Sequence, residues 1–452
     1  MLRSLLHSLD YNSRAHFASG VLVSGAVAVC GVAAVGGALR WCGMPLLGGT
    51  LFLGGTLLLG GAALLALRTS ALFRLRLQPL RCLFLKSAWA VLLGVLMLNA
   101  ASAQTRQIPV PIRVAIVGLV HGHVHGFLEQ YRHNPAIEIV AVVEPDAKLR
   151  ASAADKYGFS ASQMFSNLEE MIAKVHPQAV LVYTNTYDHR RVVEICARHG
   201  VHVMMEKPLA VSVEDALAMQ KAAEAGNIHV LVNYETSWYR SNHAVYDLVH
   251  NRSIGDIRKV VVHDGHQGPQ EIGVQPEFLS WLTDPKLDGG GALFDFGCYG
   301  ADLMTWLMDG QRPQTVTAIT QQIKPEIYQH VDDEATIVLT YPHAQAIIQA
   351  SWNWPMGRKD MEVYGKTGYV ITVQRDEIRL RQNEKEPEQQ RTTKRIPAPY
   401  DDELAYFRAV ILEGAKEDEL SSLGTNVIAT EIMDAAQRSA REGRTVQLEN
   451  TK

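Results

Sequence analysis

Between residues 113 and 235 the chain repeats one pattern: a strand-like run that is apolar throughout, then an amphipathic helical segment. The runs are RVAIVGL (113–119), IEIVAVVEP (137–145), AVLVYT (179–184) and HVMMEKP (202–208), and GFLEQYRHN, DAKLRASAADKYG, NLEEMIAKV and DHRRVVEICARHG fall between them. A strand exposed on one face alternates apolar and polar residues, so strands without alternation must be covered on both faces. The pattern therefore predicts an α/β fold: a doubly wound parallel sheet over residues 113–235.

Residues 236–452 follow a different rule. The strand candidates IRKVVVHDGH, TVTAITQQI, ATIVLTYP, AQAIIQASWNW and MEVYG are separated by turn signals with little helix, which predicts a mostly antiparallel open sheet. Three helical stretches, GALFDFGCYGADLMTWLM, DDELAYFRAVILEG and NVIATEIMDAAQRSAREG, are expected to pack against it. The charged segment RQNEKEPEQQRTTKR is expected as a solvated hairpin.

Ahead of both domains lies a leader over residues 1–103. Residues 17–39 and 41–67 carry no charge, and each is long enough to cross about 30 Å of hydrocarbon. Arg68, Arg74, Arg76, Arg81 and Lys86 then precede SAWAVLLGVLMLNA and the small residues Ala101-Ser102-Ala103. That order is a signal peptide, spanning about residues 74–103. Either the leader is a membrane anchor, or translation starts downstream of the first 70 or so residues. Both readings place the chain beyond a linker at 104–112 outside the cytoplasm, periplasmic or anchored facing the periplasm. Three of the five cysteines lie in the leader; Cys196 and Cys298 sit in apolar segments, so no disulfide framework is expected. A formal net charge of −4 argues against a nucleic-acid partner.

The first strand runs into VAIVGLVHGHVHG, and a strand, a glycine turn and a helix N-terminus together make a pyrophosphate cradle. Gly118 holds the first glycine position, with Val120, His121, Gly122 and His123 following it. Glu144, 26 residues on and at the end of the second strand, is placed to accept a bond from a ribose hydroxyl, which favours NAD over NADP. Lys148 and Arg150 weaken that preference. The histidines are read as accessories to the turn: His121 and His125 share a helix face, His123 does not, and no third ligand lies nearby in the sequence, so no metal is expected.

Glu206-Lys207-Pro208, directly after a buried strand, combined with VLVYTNTYDHRRVVEICARHG before it and GGGALFDFGCYGADLMTWL in the second domain, resembles the Gfo/Idh/MocA oxidoreductase family over about residues 112–375. The resemblance implies a Rossmann domain holding NAD or NADP, a second domain whose open sheet forms a homodimer or tetramer, and a small carbohydrate or polyol between them. It further implies that Lys207 stands between cofactor and substrate hydroxyl, and that a cis bond before Pro208 aims it. Thr184, Asn185 and His189 should lie beside the cofactor, with Asn in place of the family's Pro. Asp295 and Tyr299 fall on the Asp-x-Gly-x-His pattern, with Tyr299 replacing His as in the glucose–fructose oxidoreductase branch.

Chemistry agrees with that assignment. Asp295, Tyr299 and Asp302 recur at helical spacing, so a carboxylate and a phenol share one face. Removing a proton from a secondary alcohol with a phenol requires a cation to lower the phenol's pKa, a role expected of Lys207. Tyr234, Trp238, His263 and His266 are expected to line the carbohydrate site. The activity expected is hydride transfer on a sugar or polyol with tightly retained cofactor, because an exported enzyme meets no soluble nicotinamide pool. Two rivals are an NAD-retaining glycoside hydrolase, working by oxidation, elimination, addition and re-reduction, and a non-catalytic sugar-binding relative.

Overall fold

The computed structural model describes residues 110–448, so the leader and its signal-peptide reading lie outside the described residues. Among the described residues no helix is long and apolar enough to cross a membrane.

The first sheet has six strands: β1 (Ile112–Val117), β2 (Ile137–Val143), β3 (Met164–Phe165), β4 (Ala179–Val182), β5 (His202–Glu206) and β6 (Val230–Asn233). All pair in parallel in the order β3-β2-β1-β4-β5-β6, so strand order reverses between β1 and β4. That reversal opens a crevice at the carboxyl ends of β1 and β4, the place where such sheets bind ligands. Helices α1 (His123–Tyr131), α2 (Ala147–Tyr157), α3 (Leu168–Val175), α4 (His189–Arg198) and α5 (Val213–Gly226) form the crossovers. Their starts follow local chemistry: Asp146, Asn167 and Ser212 each accept hydrogen bonds from main-chain N–H groups of the turn that they cap.

After α6 (Arg240–His250) the chain builds a nine-stranded sheet. Its strands are β7 (Ile257–Gly265), β8 (Thr315–Gln321), β9 (Glu334–Thr340), β10 (Gln345–Ser351), β11 (Arg358–Gly365), β12 (Tyr369–Gln374), β13 (Glu377–Arg381), β14 (Gln389–Thr392) and β15 (Val446–Gln447). All ladders are antiparallel except β7 with β10. The charged segment after residue 381 forms the exposed β13–β14 hairpin, as its composition predicts.

Helix α7 (Pro276–Leu282) precedes α8 (Ala292–Leu307), which is buried along its whole length. Close packing on the sheet depends on Gly300, where an added Cβ would lie 2.5 Å from a methyl of Ile348. Helix α10 (Leu423–Glu442) packs beside α8 and β8.

Helix α9 (Glu403–Glu413) departs from expectation. It does not cover the second sheet: Leu404, Tyr406, Phe407 and Val410 join the core formed by β1, β4 and α1. The Asp402 carboxylate secures its start, accepting from Ala405 N and from the Tyr131 hydroxyl of α1 at 2.6 Å. Each large side chain buried there is worth about 1.5–3 kcal/mol, so an apolar face on the tail helix binds the chain back onto the first domain.

Candidate active site

At the crevice, β1 ends in Gly118 with φ +88°, a backbone that only glycine adopts without strain, and an added Cβ would stand 2.7 Å from the main chain of Tyr183 and Thr184. Gly122 caps α1 at the end of the same turn. A cavity of about 180 Å³ is lined by Gly118, Val120, Glu144, Thr184, Asn185 and Asp188, among others. Glycine at the turn, a helix N-terminus and an acid after β2 fit a dinucleotide. The Glu144 carboxylate is buried and accepts from Leu119 N and Asp146 N, both at 2.8 Å, tying the glycine turn to the end of β2. Burial raises its pKa, although those two N–H groups oppose the rise.

Asn185 caps the short turn Thr186–Asp188, accepting from Asp188 N and donating to Asp188 Oδ2. His189 is buried, and its Nδ1 bonds to the carbonyls of Pro208 and Leu209. It therefore clamps the segment that carries Lys207. The Lys207–Pro208 bond is cis, as the resemblance implies.

Lys207 is buried and its Nζ donates to Asp295 Oδ1 at 2.5 Å and to Asp295 O at 2.9 Å. The other Asp295 oxygen accepts from Trp352 Nε1 at 2.9 Å. Burial alone would lower the pKa of Lys207 and raise that of Asp295. The ion pair reverses both, keeping the lysine charged and the carboxylate below its usual range. Lys207 Nζ also lies 5.2 Å from the centre of the Tyr299 ring. Residues from the two domains thus converge on one buried spot.

One expectation is corrected here. Lys207 is not the cation on the phenol oxygen, because Asp295, one helical turn earlier on α8, takes its ammonium. The Tyr299 hydroxyl instead receives a bond from Lys359 Nζ at 3.2 Å, and Lys359 in turn holds Glu235 at 2.5 Å. The pKa of Tyr299 is not lowered but pushed well up, by burial first and then by Glu235.

The carbohydrate candidates divide. Tyr234 is buried edge-on to Tyr299, with ring centres 5.3 Å apart. His266 packs against Phe296 at 4.8 Å, and burial lowers its pKa. Trp238 lies farther out, bonded to Asn233, on the wall of a cleft of about 640 Å³ that also reaches His123, Glu206, Glu235, Arg240, Arg375 and Glu403. In that wall burial, then the nearby Glu206 charge, lifts the Glu403 carboxyl to about 7.

His263 is on the wrong face. Strand alternation turns it away from α8 to pair with Asp360 at 3.1 Å. Asp264 points toward α8 in its place, fully buried, with neither carboxylate oxygen bonded. Period two along VVVHDGH puts positions 262, 264 and 266 together, and the same rule puts Lys359 with Met361 and Val363. A lysine in register with core residues was the signal that marked Lys359.

His121 is buried against Phe278 and Trp281, and burial, then His123 and Lys207, lower its pKa. Its Nδ1 accepts from His123 N, and His123 Nδ1 bonds to Glu206 Oε2 at 3.1 Å. The fold thereby supplies the third group that local sequence lacked: ligand atoms of His121, His123 and Glu206 lie within 4.8 Å of one another. The Lys207 charge and the α1 N-terminus both oppose a cation there. Trp281 Nε1 donates to the Val120 carbonyl, closing α7 over the turn.

Residues 112–234 match the oxidoreductase family with an NAD-binding Rossmann fold, and residues 242–371 match the GFO/IDH/MocA C-terminal domain. Similar curated proteins include trans-1,2-dihydrobenzene-1,2-diol dehydrogenase from Xenopus tropicalis, 23% identical over 67% of this chain and 90% of that protein. Another is scyllo-inositol 2-dehydrogenase (NADP(+)) IolW from Bacillus subtilis, 24% identical over 75% of this chain and 96% of that protein. Among solved structures, an inositol dehydrogenase homolog from Azotobacter vinelandii in complex with NAD+ aligns with a TM-score of 0.65 at 20% identity, covering 76% of this chain and 98% of that one.

Proposed function

The chain belongs to the Gfo/Idh/MocA family and is an NAD(P)-dependent oxidoreductase with NAD as its cofactor, and from that premise we propose that it oxidises a secondary hydroxyl of a sugar or cyclic polyol, outside the cytoplasm, with the dinucleotide tightly retained. The relatives support the substrate class, since their names specify a cyclic dihydrodiol and inositols. The observation that carries the reading is the meeting of Lys207 with Asp295 beneath the Tyr299 ring.

NAD supplies the hydride acceptor. Gly118, Val120, Gly122, Thr184 and Asn185 would hold it, with Glu144 facing its ribose. Lys207, kept as an ammonium by Asp295, holds the substrate oxygen and stabilises negative charge growing there. Tyr299 takes the hydroxyl proton in its phenolate form, with the Lys359 ammonium donating to its oxygen. His121 and Phe278 exclude water from the turn, and His189 fixes the backbone that aims Lys207. The open face of the second sheet serves assembly into a homo-oligomer.

Two measurements on the purified protein test this. Denaturation should release about one equivalent of NAD(H), and a protein that yields none while still reducing added NAD+ would overturn retention. Lys207→Met should lower kcat by about 10²–10³-fold, the cost of removing one donor that stabilises developing negative charge, with dinucleotide still bound. Undiminished turnover would remove Lys207 from the reaction.

A further inference from the structure

Tyr299 is surrounded by titratable groups from every element packed against it. Its own helix contributes Asp295 and Cys298, β5 contributes Glu206 with Lys207 directly after it, and Tyr234 and Glu235 follow β6. From the second sheet come Asp264 of β7 and Lys359 of β11, with His266 just beyond. Only two of these groups are permanently cationic, and Lys207 is engaged by both the side chain and the main chain of Asp295.

Lys359 is placed by strand register. It stands directly across from Asp264 in the β7–β11 ladder. Its ammonium lies 4.5 Å from the centre of the Tyr299 ring and donates to the phenol oxygen, which is bonded as an acceptor, the arrangement that suits a phenolate. Glu235 fixes the lysine at 2.5 Å and is itself held by the Tyr239 hydroxyl at 2.8 Å and by Arg375 at 3.1 Å. Glu235 also lines the open cleft, so the chain of contacts runs from the buried phenol to solvent.

From this geometry we infer that Lys359 and Glu235 are positioning residues for proton transfer: Lys359 sets the acidity of Tyr299, and Glu235 sets the strength of Lys359 by fixing and partly neutralising it. The inference rests on Tyr299 being the proton acceptor of the proposed reaction. The two groups act with opposite sign. The ammonium favours the phenolate, and the carboxylate beside it opposes it.

The test places a difluorotyrosine at position 299 of the full chain, saturates the protein with NAD+, and follows its ionisation by fluorine NMR. Lys359→Met should move the titration up by about one pH unit or more, the effect of losing an opposite charge at this range, and Lys359→Arg should restore most of it. Glu235→Gln should move it down. The inference is overturned by a Lys359→Met titration equal to wild type, or by a Glu235→Gln shift in the same direction as that of Lys359→Met. If Lys359→Met fails to fold, Lys359→Arg and Glu235→Gln still decide between these outcomes. Tyr299→Phe, assayed by NADH formation on myo-inositol and D-glucose, tests the underlying reading separately. Full turnover by that variant removes Tyr299 as proton acceptor whatever the fluorine signal shows. An inactive Tyr299→Phe with an unmoved fluorine titration refutes the role of Lys359 alone.

Discussion

The glycine turn of the first domain and the β7–β11 face of the second build the two walls of the candidate site by different means. The turn works through main chain: Gly118 allows a positive φ, Gly122 opens α1, and Glu144 braces the loop through two backbone N–H groups. The sheet face works through side chains brought together across strands, as with Lys359 opposite Asp264. A wall made of backbone fails when geometry changes, whereas a wall made of side chains fails when charge or alternation changes. Substitutions should separate along that line.

The largest effect is expected at the turn. Gly118→Val places a β-branched side chain at φ +88° and drives its Cβ into the main chain of Tyr183 and Thr184, 2.7 Å away. Strain of this kind costs about 1–3 kcal/mol before the clash is added. The variant should lose its bound dinucleotide, measured by absorbance after denaturation, and melt well below wild type. If it keeps the dinucleotide at full stoichiometry, the turn is not the cradle.

The same division explains what was legible in the sequence. Parallel strands, their order of appearance and the glycine turn are local patterns, and residues 112–233 fold as those patterns dictate. Lys207, Asp295 and Tyr299 also converge as the family resemblance implies. What escaped depends on contacts distant in sequence. The partner of Tyr299 comes from a strand 60 residues on, the third group beside His121 and His123 comes from β5, and α9 returns to the first domain's core. Two of the misses were readable in principle. Alternation along β7 and β11 separates His263 from His266 and places Lys359 among core positions.

An intermediate effect is expected inside the second domain. Asp302 of α8 is fully buried with both carboxylate oxygens unbonded. Burial, then the charge of Asp418, pushes its pKa well up. Because the folded value lies above the unfolded one, near 3.9, wild-type stability is greatest below that pH and falls as pH rises, while the unfolded chain ionises and the folded one resists. Asp302→Asn removes that loss. At neutral pH it should be more stable than wild type by the pH-linked loss that it removes, and the gain should vanish near pH 3. Denaturant melts at the two pH values measure it. A gain equal at both would place the origin in packing and not in charge.

The smallest effect is the most direct test of alternation. His263 is one residue from Asp264 yet on the other face, and its partner Asp360 is also held by Arg358 at 2.5 Å. His263→Ala therefore leaves no carboxylate without a partner, and the loss should be that of one hydrogen bond, about 1 kcal/mol, seen as a drop of about 2–4 °C in Tm. Turnover and KM should be unchanged, since the side chain faces away from Tyr299. Asp264→Asn, one position along, removes a buried ionisable carboxyl directly across from Lys359 and should alter the pH dependence of turnover. A change in kcat from His263→Ala, with Asp264→Asn silent, would reverse the face assignment and detach Lys359 from the site.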